Sequence, residues 1–178
     1  MISAIRNIKR CKREANSDYQ FVIPLSRTIM DLTEIKQQID LLSAESEMVE
    51  FGSGATDDVV QCVEYELGGW LPSSYKLFLR TYGWMGRGDS NISGVTDDNI
   101  REGCGSVVFD TEFHKAESGL PDGLVVLEVH EDGAYCLDLN RRHGEECEIS
   151  NYEVGWSAGV PIAKNLNDWM LNQFLASG

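Results

Sequence analysis

The stretch from Trp70 to Gly83, WLPSSYKLFLRTYG, constrains the fold of this chain more than any other. Pro72 suits the first turn of a helix, because its ring fixes φ and its missing N–H would have no intrahelical partner there. Gly83 can adopt a positive φ and therefore ends the helix. Four large side chains fall on one stripe of this helix at positions i, i+3, i+4 and i+7: Tyr75, Phe78, Leu79 and Tyr82. We expect other parts of the chain to cover that stripe.

Two further helices are predicted before it. Asp31 and Glu34 have the spacing of a capping box, and the apolar residues that follow repeat at helical spacing, which predicts a first helix over about residues 32–44. Thr56 suits the N-cap of a second helix that ends at Gly68-Gly69. Because Trp70 and Leu71 then lead directly into the next helix, these two helices form a hairpin.

From residue 92 onward the pattern changes to short strands separated by Gly, Pro, Asn and Asp. The predicted strands are Ile92–Val95, Val107–Phe109, Leu124–His130, Ala134–Leu139 and Cys147–Ile149. A three-residue loop, Glu131-Asp132-Gly133, is predicted between the third and fourth of them. It places His130 opposite Ala134, Glu128 opposite Cys136 and Val126 opposite Asp138.

In this register one face of the hairpin is wholly apolar, and we expect it to cover the aromatic helix: Val125, Leu127, Val129, Tyr135, Leu137 and Leu139. A last helix begins at Asn165, with Asp168 three residues later, and it carries the apolar residues Leu166, Trp169, Met170 and Phe174. Helices first, a mostly meandering antiparallel sheet next and one helix last predict an α+β fold.

Charge divides the chain into two parts. The formal net charge is −14, and six basic against two acidic side chains give residues 1–30 a charge of +4, which leaves −18 for the remainder. We interpret residues 1–30 as a weakly ordered basic arm, with Met30 as an alternative start of the physiological product, and residues 31–178 as one domain. A body this acidic repels nucleic acid and anionic lipid and attracts basic partners, although solubility alone would also explain it.

The cysteine content and the hydropathy of the chain indicate its cellular compartment. The five cysteines are an odd number and include no C-x-x-C pair, which argues against a disulfide framework and a zinc knuckle. No apolar run is long enough to span a membrane or to resemble a secretion signal. We therefore expect a cytoplasmic protein with reduced cysteines.

No motif predicts catalysis. The histidines His114, His130 and His143 do not have metal-ligand spacing, either with one another or with the cysteines. The set Asp138, Asn140 and His143, and the pair Glu128 and Asp138, are more simply explained as ordinary polar residues of a sheet. The sequence therefore predicts no enzymatic activity, no metal and no cofactor.

A protein-binding surface is the better prediction. Acidic residues recur in loops and at strand ends, and two tryptophans lie in glycine-flanked loops, a combination that suits electrostatic capture of a protein. The predicted contact residues are Trp84, Asp89, Asp97, Asp98, Glu102, Asp110, Glu112, Glu131, Asp132 and Trp156, and the same acidic pattern includes Asp122, Glu145 and Glu146. The alternative interpretation is that the tryptophans cap the core and that the acidic side chains are merely solvated.

Several of these motifs together resemble the SUKH superfamily, which is named after the yeast cell-wall regulators Smi and Knr. The similarity covers roughly residues 32–176. It includes Ala55-Thr56-Asp57-Asp58, Val63-Glu64, Leu67-Gly68, Leu71 to Gly83, Ile92-Ser93-Gly94-Val95, Leu120-Pro121, Asp132 to Asp138 and Glu145-Glu146-Cys147. The chain departs from the family pattern in its basic arm and at Gly69-Trp70.

The resemblance implies an α+β fold without enzymatic activity. Bacterial members are typically immunity proteins that neutralise a cognate toxin, often a nuclease, whereas eukaryotic members are interaction modules; no family-wide functional residue carries over. We therefore predict an immunity protein, a monomer or weak homodimer, that covers a basic toxin and binds neither nucleic acid nor membrane. A regulatory scaffold is the alternative, and a small metal-dependent hydrolase is a remote one.

Overall fold

The computed structural model describes residues 32–44, 49–96, 100–101, 103 and 105–176. The predicted basic arm and the capping residue Asp31 lie outside this part of the chain. The helices are α1 Leu32–Ala44, α2 Asp57–Glu66, α3 Ser73–Thr81, α4 Val107–Ser118 and α5 Leu166–Trp169, which continues into a π-helical turn, Met170–Phe174. The strands are β1 Val49–Phe51, β2 Met85–Arg87, β3 Ser90–Ile92, β4 Leu124–His130, β5 Gly133–His143, β6 Glu146–Glu153 and β7 Val160–Ala163.

The three predicted N-terminal helices are confirmed. Thr56 is the N-cap of α2, although its side chain makes no capping hydrogen bond, and Gly68 and Gly69 follow that helix with positive φ. Pro72 is the N-cap of α3 rather than its first residue. Gly83 has φ 73° just after α3, in the left-handed conformation that favours glycine.

The aromatic stripe of α3 is covered as expected. Tyr75 and Phe78 are fully buried, with ring centroids 5.8 Å apart, and Tyr82 follows at 5.9 Å from Phe78. They belong to one hydrophobic cluster to which the other predicted elements contribute Ile35, Ile39, Leu42, Val125, Leu127, Leu137, Leu139, Leu166, Trp169, Met170 and Phe174. Burying each such side chain is worth about 1.5–3 kcal/mol, so this cluster is the main source of stability.

The predicted register of the β4–β5 hairpin is wrong. The loop has two residues, Glu131 and Asp132, so His130 pairs with Gly133. A bulge between Val126 and Glu128 then shifts the register by one residue. Because of this bulge the inner half of the hairpin keeps its apolar face toward the main cluster, while Val129 at the outer end is half-exposed.

The second face of the same sheet is also buried. The segment that covers it contains a second wrong prediction. Residues 107–109, predicted as a strand, open helix α4. Ser106 caps this helix by accepting a hydrogen bond from the N–H of Phe109, and Gly119 ends it with a left-handed backbone. The N–H of Val126 donates to the Thr111 hydroxyl across 3.0 Å. Helix α4 therefore lies against a smaller apolar cluster made of Leu120, Leu124, Val126, Ala134, Cys136 and Tyr152.

Two antiparallel sheets complete the fold. The larger has the strand order β4-β5-β6-β7, and its last strand was not predicted; the smaller has the order β1-β2-β3 and includes part of the predicted Ile92–Val95 strand. The N–H of Ser93 donates to the carbonyl of Leu127 across 2.6 Å, so β3 lies beside β4. The predicted α+β class is confirmed, and so is the final helix, whose N-cap Asn165 accepts from the Asp168 N–H across 2.9 Å.

Candidate protein-binding surface

The structure buries two of the acids that the sequence pattern places on the surface. Asp110 accepts hydrogen bonds from the Ser93 hydroxyl at 2.6 Å and from the Gly105 N–H at 3.1 Å. Glu146 accepts from the N–H of Ser74 at 3.0 Å and from its hydroxyl at 2.5 Å. Burial raises the pKa of both carboxyls, against the opposing effect of these hydrogen bonds. Both acids are therefore part of the interior rather than of a contact surface.

The possible carboxylate pair is separated as well. Asp138 lies opposite Leu124, on the face that carries the smaller cluster, and accepts from the Ser150 hydroxyl at 3.1 Å. Glu128 lies opposite Tyr135, on the other face, because the bulge intervenes. Among the described residues, no group of three or more His, Cys, Asp or Glu side chains is arranged to hold a metal ion.

One end of the larger sheet brings three predicted residues together. Glu131 and Asp132 form the β4–β5 turn and are exposed. The N–H of Val154 donates to the carbonyl of Asp132 across 3.0 Å, and the N–H of Trp156 donates to the carbonyl of Glu153 across 3.0 Å. The loop after β6 therefore lies directly against the acidic turn.

Asp89 belongs to the same end of the molecule. It lies in the β2–β3 turn, and its neighbour Ser90 is close enough to the buried carboxyl of Glu128 to oppose the rise in pKa that burial causes. Since Ser93 contacts Leu127 and Ser90 contacts Glu128, β3 and β4 run in opposite directions, and the two turns lie at the same end. We call the surface formed by Asp89, Glu131, Asp132, Glu153, Val154 and Trp156 the acidic tip.

The acidic tip combines exposed apolar area with acidic charge. Val154 is 60 % exposed and Trp156 is 36 % exposed. Within the part of the chain that the structure describes, neither Glu131 nor Asp132 forms an ion pair with a basic side chain. Exposed aromatic and aliphatic side chains surrounded by polar residues are typical of protein-binding surfaces.

The remaining predicted contact residues lie elsewhere. Trp84 is half-buried and lines a separate groove at the other end of the smaller sheet. Glu112 lies on α4 and pairs with Arg101 across 3.2 Å, so part of its charge is compensated. Asp97, Asp98 and Glu102 are outside the described residues. The ten predicted residues therefore do not form one surface.

Glu153 and Val154 are members of the acidic tip that the contact prediction omitted. The signal that could have identified them is the position of Trp156 in a hairpin loop, because loop residues beside an exposed aromatic share its surroundings. Their proximity to Asp132 depends on the pairing of Gly133 with Glu153. That pairing joins strands β5 and β6, and the sequence pattern predicts no register for β6.

Comparison with known families agrees with the fold. A family model with the description SMI1-KNR4 cell-wall, SUKH_5, matches residues 35–175. The chain belongs to the SUKH family. The match begins within α1 and ends just after the π-helical turn, so it includes all seven described strands and the whole acidic tip.

The departure from the SUKH pattern at Gly69-Trp70 has a structural explanation. The guanidinium carbon of Arg142 lies 4.2 Å from the centroid of the Trp70 ring, which is a cation–π contact. Arg142 also donates from Nε to the carbonyl of Leu139 across 2.8 Å. Trp70 therefore attaches the α2–α3 connection to the far end of the β5–β6 hairpin, away from the acidic tip.

The described cysteines Cys62, Cys136 and Cys147 are buried. Burial raises the pKa of the Cys147 thiol to about 12 and raises that of Cys136 further, which suppresses the reactive thiolate. No helix within the described residues is both long enough and apolar enough to cross a membrane.

Proposed function

We propose that this SUKH protein is a cytoplasmic immunity protein that neutralises a cognate protein toxin by binding it one to one. The proposal rests on the acidic tip, where Trp156 and Val154 are exposed beside the acids Glu131 and Asp132. Buried aromatic and aliphatic anchors supply most of the affinity of a protein interface, while charge sets the rate of encounter and the choice of partner.

The charge of the chain indicates the chemistry of that partner. With a formal net charge of −14, the protein attracts basic surfaces at long range and repels phosphate backbones. A nuclease must present a basic surface to hold its nucleic acid. An acidic protein seated on that surface would block the substrate without any chemistry of its own, so the protein acts by occlusion and not as an enzyme.

Growth rescue tests this function. The toxin domain encoded by a neighbouring gene is expressed alone and together with this protein, and colony formation is counted. We expect rescue by the wild-type protein and recovery of a 1:1 complex by size-exclusion chromatography. If growth is not rescued and no complex forms, the immunity function is wrong, and a regulatory interaction module becomes the better interpretation.

Charge-reversal variants test the surface. The double variant Glu131→Lys/Asp132→Lys is expected to lose rescue. Asp122→Lys/Glu145→Lys makes the same change in net charge at exposed positions away from the tip, and we expect it to rescue normally. Residue 145 follows the far end of β5, a strand of 11 residues that spans about 35 Å. Equal loss of growth rescue in the two double variants would show that only the total charge of the protein matters for neutralisation.

A further inference from the structure

The acidic tip has further exposed apolar neighbours. Val129 in β4 and Val160 in β7 lie at the same end of the larger sheet as the β4–β5 turn, and each is about half exposed. Together with Val154 and Trp156 they make up half of the large apolar side chains that are exposed in the described part of the chain. Exposed apolar side chains concentrated at one end of a protein mark an interaction surface.

The acids at this end have no cationic partner among the described residues. Asp89, Glu131 and Asp132 take part in none of the ion pairs that these residues form. Arg87 is the basic side chain closest to Asp89 in the sequence, and it donates to the main-chain carbonyl of Phe174 across 2.9 Å. A segment that covers this surface should therefore combine positive charge with apolar side chains.

One segment of the chain itself has this composition. Residues 5–13 contain five basic side chains, no acidic one and two isoleucines: Ile5, Arg6, Ile8, Lys9, Arg10, Lys12 and Arg13. The charge of −18 on residues 31–178 attracts such a segment. The chain between Arg13 and the start of α1 at Leu32 could extend over roughly 60 Å. This is farther than the length of β5, about 35 Å, so the segment can reach the tip.

We propose that residues 5–13 dock on the acidic tip of the same molecule and compete there with the partner protein. Their cations would face Glu131 and Asp132, and their isoleucines would pack beside Val154 and Trp156. Because the segment is tethered, its effective concentration at the tip is on the order of 1 mM, so a contact with a millimolar Kd would be occupied about half of the time. Competition with a toxin rests on the proposed function, but contact between the segment and the tip does not.

Paramagnetic relaxation in NMR spectra measures this contact without a toxin. A nitroxide is attached to Cys11, inside the segment, in a Cys104→Ser background; the described cysteines are buried, which disfavours their labelling. In the ¹⁵N-labelled protein we expect the indole N–H signal of Trp156 to fall below about half of its intensity in the reduced, diamagnetic sample. The indole of Trp70, away from the acidic tip, is the internal reference and should keep its intensity.

Charge variants and a salt series separate the possible causes. Glu131→Lys/Asp132→Lys should restore the Trp156 signal, whereas Asp122→Lys/Glu145→Lys, with the same change in net charge, should leave it broadened. Raising the salt concentration from about 0.1 M to about 1 M shortens the Debye length from about 10 Å to about 3 Å, and should also restore the signal. Equal broadening of both indoles would mean that the segment contacts the body without preference for the tip. No broadening would refute the docking.

Contact within one molecule must also be distinguished from contact between two molecules. Spin-labelled protein without ¹⁵N is mixed with unlabelled ¹⁵N protein, and we expect the Trp156 signal of the mixture to keep its intensity. Broadening as strong as in the labelled ¹⁵N protein would place the segment on a second copy of the chain and overturn the proposal. Because no toxin is present, each of these results is independent of the growth-rescue experiment.

Discussion

The backbone N–H of Val154 donates to the carbonyl oxygen of Asp132 across 3.0 Å. This single bond holds the β6–β7 loop, with its exposed Val154 and Trp156, against the acidic β4–β5 turn. The two parts of the tip are about 20 residues apart in the sequence but close together in space. They meet because antiparallel pairing of β5 with β6 returns the chain to the same end of the sheet.

Trp156 is expected to matter more for binding than for folding. Trp156→Ala should lower the free energy of unfolding by about 1–2 kcal/mol, less than truncation of a core tryptophan, because about a third of the residue is exposed. The matched control is Trp169→Ala, at a fully buried position, which should cost about 3–5 kcal/mol. Urea unfolding of the variants measures both. A large loss of stability in Trp156→Ala would make Trp156 a core residue.

Ser74 and Ser73 form a second matched pair. Ser74→Ala removes the hydroxyl that donates to the buried carboxyl of Glu146, and we expect a loss of about 1–3 kcal/mol in the free energy of unfolding. Ser73→Ala removes a long, exposed contact to Glu145 and should cost less than about 0.5 kcal/mol. Denaturant unfolding that gave equal losses would contradict a specific role for the buried bond.

The helices were predictable because their signals are local. The α3 stripe and the Asn165 cap each need only a few neighbouring residues, and both are present as expected. The strand predicted over residues 107–109 is wrong, and it was suggested by Val and Phe, which favour strands. Their helix is specified by Ser106 at one end and Gly119 at the other, which are start and stop signals that outweigh the preference of two or three residues.

The hairpin register and the surface depended on long-range contacts. The bulge near Leu127 lies in a hairpin that has apolar residues buried on both faces. The second face is buried only because α4 covers it. A register derived from one apolar face therefore could not include the bulge. For the same reason Asp110 and Glu146 looked like surface acids, since the serines that satisfy them, Ser93 and Ser74, are distant in the sequence.

Stability should fall as pH rises above the ordinary range of carboxyl groups. Burial raises the folded-state pKa of Asp110, Glu128 and Glu146 above their ordinary values of 3.8 or 4.5. Between the unfolded and the raised folded pKa, the folded state binds more protons, so the free energy of unfolding decreases with increasing pH. Urea unfolding should therefore show increasing stability as the pH is lowered from neutral toward these ordinary values.

Neighbouring glutamates separate this effect from general charge repulsion. Glu146→Gln should flatten the dependence of stability on pH. Glu145→Gln removes the same charge at an exposed position, and this variant should keep most of the pH dependence. Equal slopes in the two variants would mean that the buried carboxyl is not responsible.

The Trp70–Arg142 contact should contribute a measurable coupling energy. A double-mutant cycle with Trp70→Leu and Arg142→Gln is expected to give about 0.5–1 kcal/mol, because the contact is partly exposed. The cycle cancels the separate loss of the Arg142 bond to Leu139. Arg142→Lys keeps the charge without the planar guanidinium and should recover only part of the coupling. A coupling energy near zero would mean that Trp70 does not attach the α2–α3 connection to the sheet.

The most direct test of the acidic tip is the dissociation constant of the complex with the toxin domain, measured by isothermal titration calorimetry. We expect a 1:1 complex that Glu131→Lys/Asp132→Lys weakens by at least about 30-fold, as loss of close charge pairs in an interface would. Asp122→Lys/Glu145→Lys should stay within about threefold of wild type, because those positions are distant from the tip. An unchanged dissociation constant for Glu131→Lys/Asp132→Lys would contradict the assignment of binding to this surface.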